Sequence, residues 1–212
     1  MIVSLDFGNI YSKYVLVQPV DEYELSTIES EVRLIKELSG KDFMLKAFPV
    51  NDWNNDLSPW NAPPVFGKNG FGDGAAKTLD QILQHCGDRS KTYFIGGYSL
   101  AGLFSLWAAF QTDLFEGVAA ASPSVWFPGF SDFVKANNIN CGSVYLSLGD
   151  REEQTRNPVM ATVGDRIRDI HETLSERGVE CVLEMNEGNH FKDADLRTAK
   201  AFSWLLRKYP EQ

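Results

Sequence analysis

Cysteine is scarce in this chain. The three present, Cys86, Cys141 and Cys181, are odd in number and never closely spaced. That excludes a disulfide framework and a zinc-ligand pattern. Free thiols suit a reducing compartment, so a cytoplasmic location is expected. Basic charge is short as well: 20 Lys and Arg stand against 29 Asp and Glu, a formal net charge of −9. Nucleic acid and anionic membrane surfaces are poor partners for that sign. No apolar run approaches the roughly 18 residues that a membrane-crossing helix needs. The start, MIVSLDFGNIYSKY, lacks a basic stretch followed by an apolar one, so no secretory signal is expected. Repeats, low-complexity tracts and composition breaks are also missing, and a single domain, 1–212, is expected.

What is present is an alternation of strand and helix. Strands are predicted at Tyr14–Val17, Phe43–Val50, Tyr93–Gly97, Gly117–Ala121, Val144–Leu148 and Val179–Met185. Helical spacing falls between them, for example Ile28, Val32, Ile35 and Leu38, a stripe ended by Ser39-Gly40. Ile2–Leu5 is expected to add an antiparallel edge strand through a turn at Gly8-Asn9. Strands joined by crossover helices pair in parallel, and their apolar runs fit a sheet covered by helices on both faces. The stretch from Asn51 to Gly74, rich in Asn, Asp, Pro and Gly, reads as a long loop over a site.

The sharpest motif is Gly97-Tyr98-Ser99-Leu100-Ala101, between a predicted strand and an apolar helix. It is a nucleophile elbow, G-x-S-x-G, with Ala in the last place. A nucleophile on a tight strand-to-helix turn brings the residues two before and two after it together, so only Gly or Ala fits. No Lys follows Gly102, which argues against a phosphate-binding loop. A serine hydroxyl needs a base, and there are three histidines. His85 lies at a helix end and His171 lies off its helix stripe. His190, in the loop Glu187-Gly188-Asn189-His190-Phe191 after the last strand, is the candidate base. The acid should follow the preceding strand, in Gly149-Asp150-Arg151-Glu152-Glu153. The position three beyond the closing Gly selects Glu152, with Asp150 and Glu153 as alternatives. Ser99, Glu152 and His190 then follow the order serine, acid, histidine. The Leu100 N–H is one expected oxyanion donor. Val20 is the expected second, with Trp53 as the alternative.

Gly-Tyr-Ser-Leu-Ala-Gly, then Ala121-Ser122-Pro123-Ser124-Val125-Trp126, then Glu152, then Gly188-Asn189-His190-Phe191, resemble the esterase family of the α/β-hydrolases. That family includes siderophore (enterochelin-type) esterases and relatives of esterase D. The likeness runs from about Tyr14 to Leu206. It implies an α/β-hydrolase fold, a mostly parallel sheet with helices on both faces and no separate cap domain. It also implies cleavage of a small-molecule carboxylic ester through an acyl-enzyme, with no metal and no organic cofactor. The serine–glutamate–histidine set would serve equally in an acyltransferase or a peptidase, and the fold also carries silent binding modules. Trp53, Trp60, Tyr98 and Trp126 are the expected substrate contacts, among loop aromatics that could equally form a second small core. Neither the substrate's acyl and alcohol parts nor the oligomeric state follows from the sequence.

Overall fold

The computed structural model describes residues 2–210. Seven strands form one sheet in the order β1-β3-β2-β4-β5-β6-β7. They are β1 (Leu5–Gly8), β2 (Tyr14–Val20), β3 (Met44–Pro49), β4 (Thr92–Tyr98), β5 (Phe115–Ala121), β6 (Ser143–Gly149) and β7 (Glu180–Asn186). β1 is antiparallel to β3, and every other pairing is parallel. The helices are α1 (Glu22–Ser39), α2 (Trp53–Asp56), α3 (Ala75–Leu83), α4 (Ser99–Gln111), α5 (Phe130–Ala136), α6 (Val163–Glu176) and α7 (Ala194–Arg207). The expected parallel sheet covered on both faces is what forms.

The two-residue period of a strand sorts the core into two layers. Val15, Val17, Ile95, Val118, Ala120, Val144 and Leu146 face α3, α4 and α6. Their neighbours Tyr14, Leu16, Phe94, Ala119 and Tyr145 face α1 and α7. β2 and β6 are buried along their whole length, whereas the edge strands β1 and β7 are partly exposed. α1 starts on a capping box: the Asp21 side chain accepts from the Glu24 N–H (2.7 Å), and the Glu24 side chain accepts from the Asp21 N–H (3.2 Å). It ends on Gly40 at φ 69°. No helix among the described residues is long and apolar enough to cross a membrane.

Two local readings are corrected, and the helix α5 adds to them. The edge strand is Leu5–Gly8, not Ile2–Leu5, because the turn closes at Asn9–Ser12 (3.0 Å) and sets Gly8 opposite Met44. The stretch from Asn51 to Gly74 holds the one-turn helix α2, capped by Asp52, and a bridge between Ala62 and Phe71. α5 follows Gly129 at φ 82°. Neither short helix is long enough to show a period.

β4 and β5 approach closely at Gly96. A Cβ there would lie 2.6 Å from both the Ala119 carbonyl oxygen and the Phe202 ring of α7. Gly96→Val should therefore lower stability by about 2 kcal/mol or more through overpacking. Gly142→Ala, where a Cβ meets nothing within 4 Å, should stay within about 0.5 kcal/mol of the parent. Urea unfolding midpoints of the two variants check this.

Candidate active site

Four neighbouring strands deliver the site at their C-terminal ends. Ser99 follows β4, Ser122 to Ser124 follow β5, Glu152 follows β6 and His190 follows β7. Ser99 opens α4 at φ 55°, the left-handed region that a side chain enters at a cost of about 1–3 kcal/mol. A Cβ on Gly97 would sit 2.7 Å from the Ala101 Cβ, so the turn closes only with small residues at both places. α4 is buried almost throughout, and that packing holds the strained turn. Ser122 carries a second strained backbone, at φ 42°.

The side chains join in one hydrogen-bonded row. Ser99 Oγ lies 3.0 Å from His190 Nε2, and His190 Nδ1 lies 2.6 Å from Glu152 Oε2. An ionised carboxylate only accepts, so Nδ1 carries the proton and Nε2 is left to accept from the serine hydroxyl. Ser99 Oγ also lies 3.2 Å from Ser124 Oγ. The other oxygen of Glu152, Oε1, accepts from the Gly149 N–H (2.7 Å), the Ser122 hydroxyl (2.8 Å) and Arg197 Nη1 (2.9 Å).

The neighbouring carboxylates are engaged elsewhere. Asp150 is exposed, and its Oδ1 accepts from the Gly188 N–H (2.8 Å), bracing the histidine loop. Glu153 pairs with Arg168 (3.1 Å) on the surface. His85 and His171 each meet a backbone carbonyl away from Ser99, those of Ile2 (3.1 Å) and Cys181 (3.2 Å).

Sequence reasoning missed Arg197, which is 1% exposed. Besides Glu152, its guanidinium donates to Tyr98 OH, Ser122 Oγ and the carbonyls of Glu187 and Asn189, each at 3.1 Å. Tyr98 OH in turn donates to the His190 carbonyl (2.8 Å). One buried cation thus ties the acid to the two carbonyls just before His190. Its signal was an arginine on the inward stripe of α7, one turn before Ala201 and two before Leu205.

Two clefts flank His190. The larger, about 620 Å³, holds Ser99, Tyr98 and Trp53; the smaller, about 220 Å³, holds Trp126, Pro123 and Met160. Phe191, 89% exposed, stands at the rim of both. Trp60 lines neither of these two clefts. It packs on Phe127, Phe130 and Phe133, and its indole N–H donates to the Pro128 carbonyl (2.9 Å). For Trp60, Phe71, Phe127 and Phe130, the small-core reading of the loop aromatics is the one observed. Val20 closes β2 with a fully buried side chain, on the strand hydrogen-bonded beside β4.

Burial raises the proton affinity of Glu152. The hydrogen bond and charge of His190, the Gly149 N–H and the Ser122 hydroxyl outweigh it and hold the carboxyl below its ordinary value of 4.5. A depressed carboxylate contributes stability that is present above its unfolded value and is lost as pH falls through its folded value. The melting-temperature gap between the parent and Glu152→Gln should accordingly be widest above the ordinary value of 4.5 and should narrow as the pH falls below it. Thermal melting of both proteins on either side of that value checks the sign.

Neither a family model nor a curated protein matches this chain. Solved structures do. An IroE-like serine hydrolase from Shewanella oneidensis aligns with TM-score 0.76 at 16% identity, over 100% of this chain and 77% of that one. The siderophore hydrolase EstA from Aspergillus nidulans aligns with TM-score 0.69 at 18% identity, over 93% and 83%. The fluorophosphonate-binding serine hydrolase FphF from Staphylococcus aureus aligns with TM-score 0.58 at 14% identity, over 97% and 98%. Likeness at such identities speaks for the fold, and with the sheet order above it makes this chain an α/β-hydrolase fold.

Proposed function

We propose that the chain is a serine esterase that cleaves carboxylic esters through an acyl-enzyme, with one domain carrying the whole activity. The observation that carries the reading is the continuous row from Ser99 Oγ through His190 to the buried Glu152, at 3.0 and 2.6 Å. It stands on an elbow that costs the fold backbone strain. The named neighbours, serine hydrolases and siderophore hydrolases, support the same chemistry.

In this reading Ser99 Oγ attacks the ester carbonyl carbon as its proton passes to His190 Nε2. Glu152 holds the ring by Nδ1 and stabilises the imidazolium. The tetrahedral intermediate collapses, the alcohol leaves with the proton from Nε2, and the acyl group stays on Ser99. Water then attacks the acyl carbonyl carbon as its proton passes to His190 Nε2, the acyl–Oγ bond breaks, the proton returns to Ser99 Oγ, and the acid is released. The Leu100 N–H, in the first turn of α4 where backbone donors lack helical partners, is one oxyanion donor. Val20 is the proposed second; the Asp21 N–H beyond it is already held by Glu24. Trp53, Tyr98 and Trp126 line the clefts for the substrate. The row works without a metal or an organic cofactor. A cytoplasmic location and a small-molecule ester as partner complete the proposal.

Ser99→Ala should fold normally and lose turnover of a chromogenic short-chain ester by roughly 10³-fold or more. His190→Ala should do the same, while His85→Ala and His171→Ala stay near the parent. A fluorophosphonate should label the parent and spare Ser99→Ala. Glu152→Gln should slow turnover strongly, with Asp150→Asn and Glu153→Gln mild by comparison. An active, unlabelled Ser99→Ala protein would end this reading. Unlabelled parent protein with no ester turnover would favour a silent binding module. Faster acyl loss to an added alcohol or amine than to water would favour a transferase.

A further inference from the structure

The turn Ser122-Pro123-Ser124 follows β5 and lies against the start of α4. A Cβ on Gly102 would meet the Pro123 Cβ at 3.2 Å, so only a glycine there lets the turn come so close. Ser124 is 2% exposed, and its backbone is pinned on both sides. Its N–H donates to the Ser99 carbonyl (3.0 Å), and its carbonyl accepts from the Phe127 N–H (2.9 Å). Val125 and Phe127 hold the segment in the core. The fold therefore fixes the Ser124 side chain relative to Ser99. Its Oγ lies 3.2 Å from Ser99 Oγ, and among the described residues it has no other hydrogen-bond partner. Two hydroxyls share that contact, and the base decides their order. His190 Nε2 only accepts, because Nδ1 carries the proton toward Glu152. The Ser99 proton goes to Nε2 (3.0 Å), so the proton between the two serines belongs to Ser124. The reverse order would leave Nε2 without a donor and the buried Ser124 proton without an acceptor, which is costly.

From this geometry we infer that Ser124 is a further catalytic residue, whose hydroxyl donates to Ser99 Oγ and stabilises the negative charge that this oxygen carries while its proton is away. The inference rests on the esterase reading and adds a residue to it. In acylation the Oγ–H bond breaks as the Oγ–C bond forms, and the proton goes to His190 Nε2. In deacylation the C–Oγ bond breaks before Nε2 returns the proton. Ser99 Oγ is electron-rich at both moments, and Ser124 keeps its own proton throughout. A hydrogen bond to a charged oxygen is roughly twice as strong as one to a neutral oxygen. In the resting enzyme Oγ is a neutral hydroxyl, and in the acyl-enzyme its lone pair is drawn into the ester carbonyl. The Ser124 bond is thus stronger in the two transition states than in the states between them, and only such a difference speeds a reaction. The resting distance leaves room for this: 3.2 Å is long for an O–H···O bond, which ordinarily measures about 2.7–2.8 Å. Charge on Ser99 Oγ would draw the donor in.

The test reads the two steps separately. Rapid mixing with para-nitrophenyl acetate gives acylation as the burst of nitrophenol and deacylation as the steady release that follows. Ser124→Ala should slow both by roughly 10- to 100-fold. The ester concentration that half-saturates the burst should stay near the parent's, because the hydroxyl touches Ser99 and not the bound ester. The rate of fluorophosphonate labelling should fall in step with acylation. Ser124→Thr restores a hydroxyl and should regain most of the loss. A packing role predicts the opposite ranking, since Ala is the smaller side chain and needs no room for a methyl group. If Ser124→Thr fails to fold, Ser124→Cys takes its place, and its weaker S–H donor should give rates between those of Ser124→Ala and the parent. Rates in Ser124→Ala equal to the parent's overturn the inference. Faster rates overturn it too, since they would mean that Ser124 competes with His190 for the Ser99 proton. So would a loss confined to half-saturation, or one that neither Thr nor Cys relieves. The esterase reading fails separately: a parent that neither cleaves the ester nor takes the fluorophosphonate ends it, and Ser124 with it. An active parent matched by Ser124→Ala removes Ser124 alone.

Discussion

An ionised carboxylate is costly to bury unpaired, and Glu152 is 8% exposed. Its solution organises the whole face of the sheet. One oxygen is satisfied by a backbone N–H at the end of β6, a hydroxyl after β5 and a guanidinium from α7; the other is left for His190. Each partner comes from a different segment, so the chain must assemble three strand ends and the last helix to make the pocket. Arg197 is in the same position with the opposite sign. Removing either partner would strand a buried charge at a cost of several kcal/mol, whereas the intact pair adds little net stability. The pair therefore acts as a constraint on geometry: Glu152 and the carbonyls of Glu187 and Asn189 on one guanidinium fix the loop that carries His190.

Strain on the serine side complements that constraint. Ser99 and Ser122, which directly follow the adjacent strands β4 and β5, both have positive φ, at 55° and 42°. The Ser122 N–H donates to the Ser147 carbonyl on β6 (3.0 Å), and the Ser124 N–H donates to the Ser99 carbonyl (3.0 Å). These cross-strand bonds bind the two strained turns to each other and to β6. Rigidity here has a chemical use. A hydroxyl 3.0 Å from its base before substrate arrives needs little reorganisation for proton transfer.

The elements legible in the sequence are those whose constraint is local. Gly97 and Ala101 are small because they touch each other, so the elbow announces itself within five residues. Continuous apolar strands declare a sheet covered on both faces, and that is why the parallel order was readable. Glu152 was selected by its distance from Gly149, whose N–H it accepts across a three-residue turn. Arg197 was not selected, because its partners lie up to 99 positions away and no local pattern links them. Where Trp60 packs was not legible for a related reason. An aromatic in a loop looks the same whether it faces a ligand or Phe127, Phe130 and Phe133, and only tertiary packing decides. The 3.6-residue period does put Glu24 and Glu31, which line the larger cleft, on one face of α1, seven positions apart, but which element that face meets is again a tertiary fact.

The larger cleft, lined by Asp21, Glu24, Glu31, Asp193 and Asp195, bears on the chemistry even before a substrate is considered. A unit charge roughly 8 Å away, at an effective dielectric near 20, shifts an energy by about 2 kcal/mol. In the proposed mechanism, negative charge around Ser99 and His190 would favour the imidazolium formed as Ser99 attacks and oppose the oxyanion formed with it. The N-terminus of α4, beginning at Ser99, supplies partial positive charge at the point where the oxyanion develops.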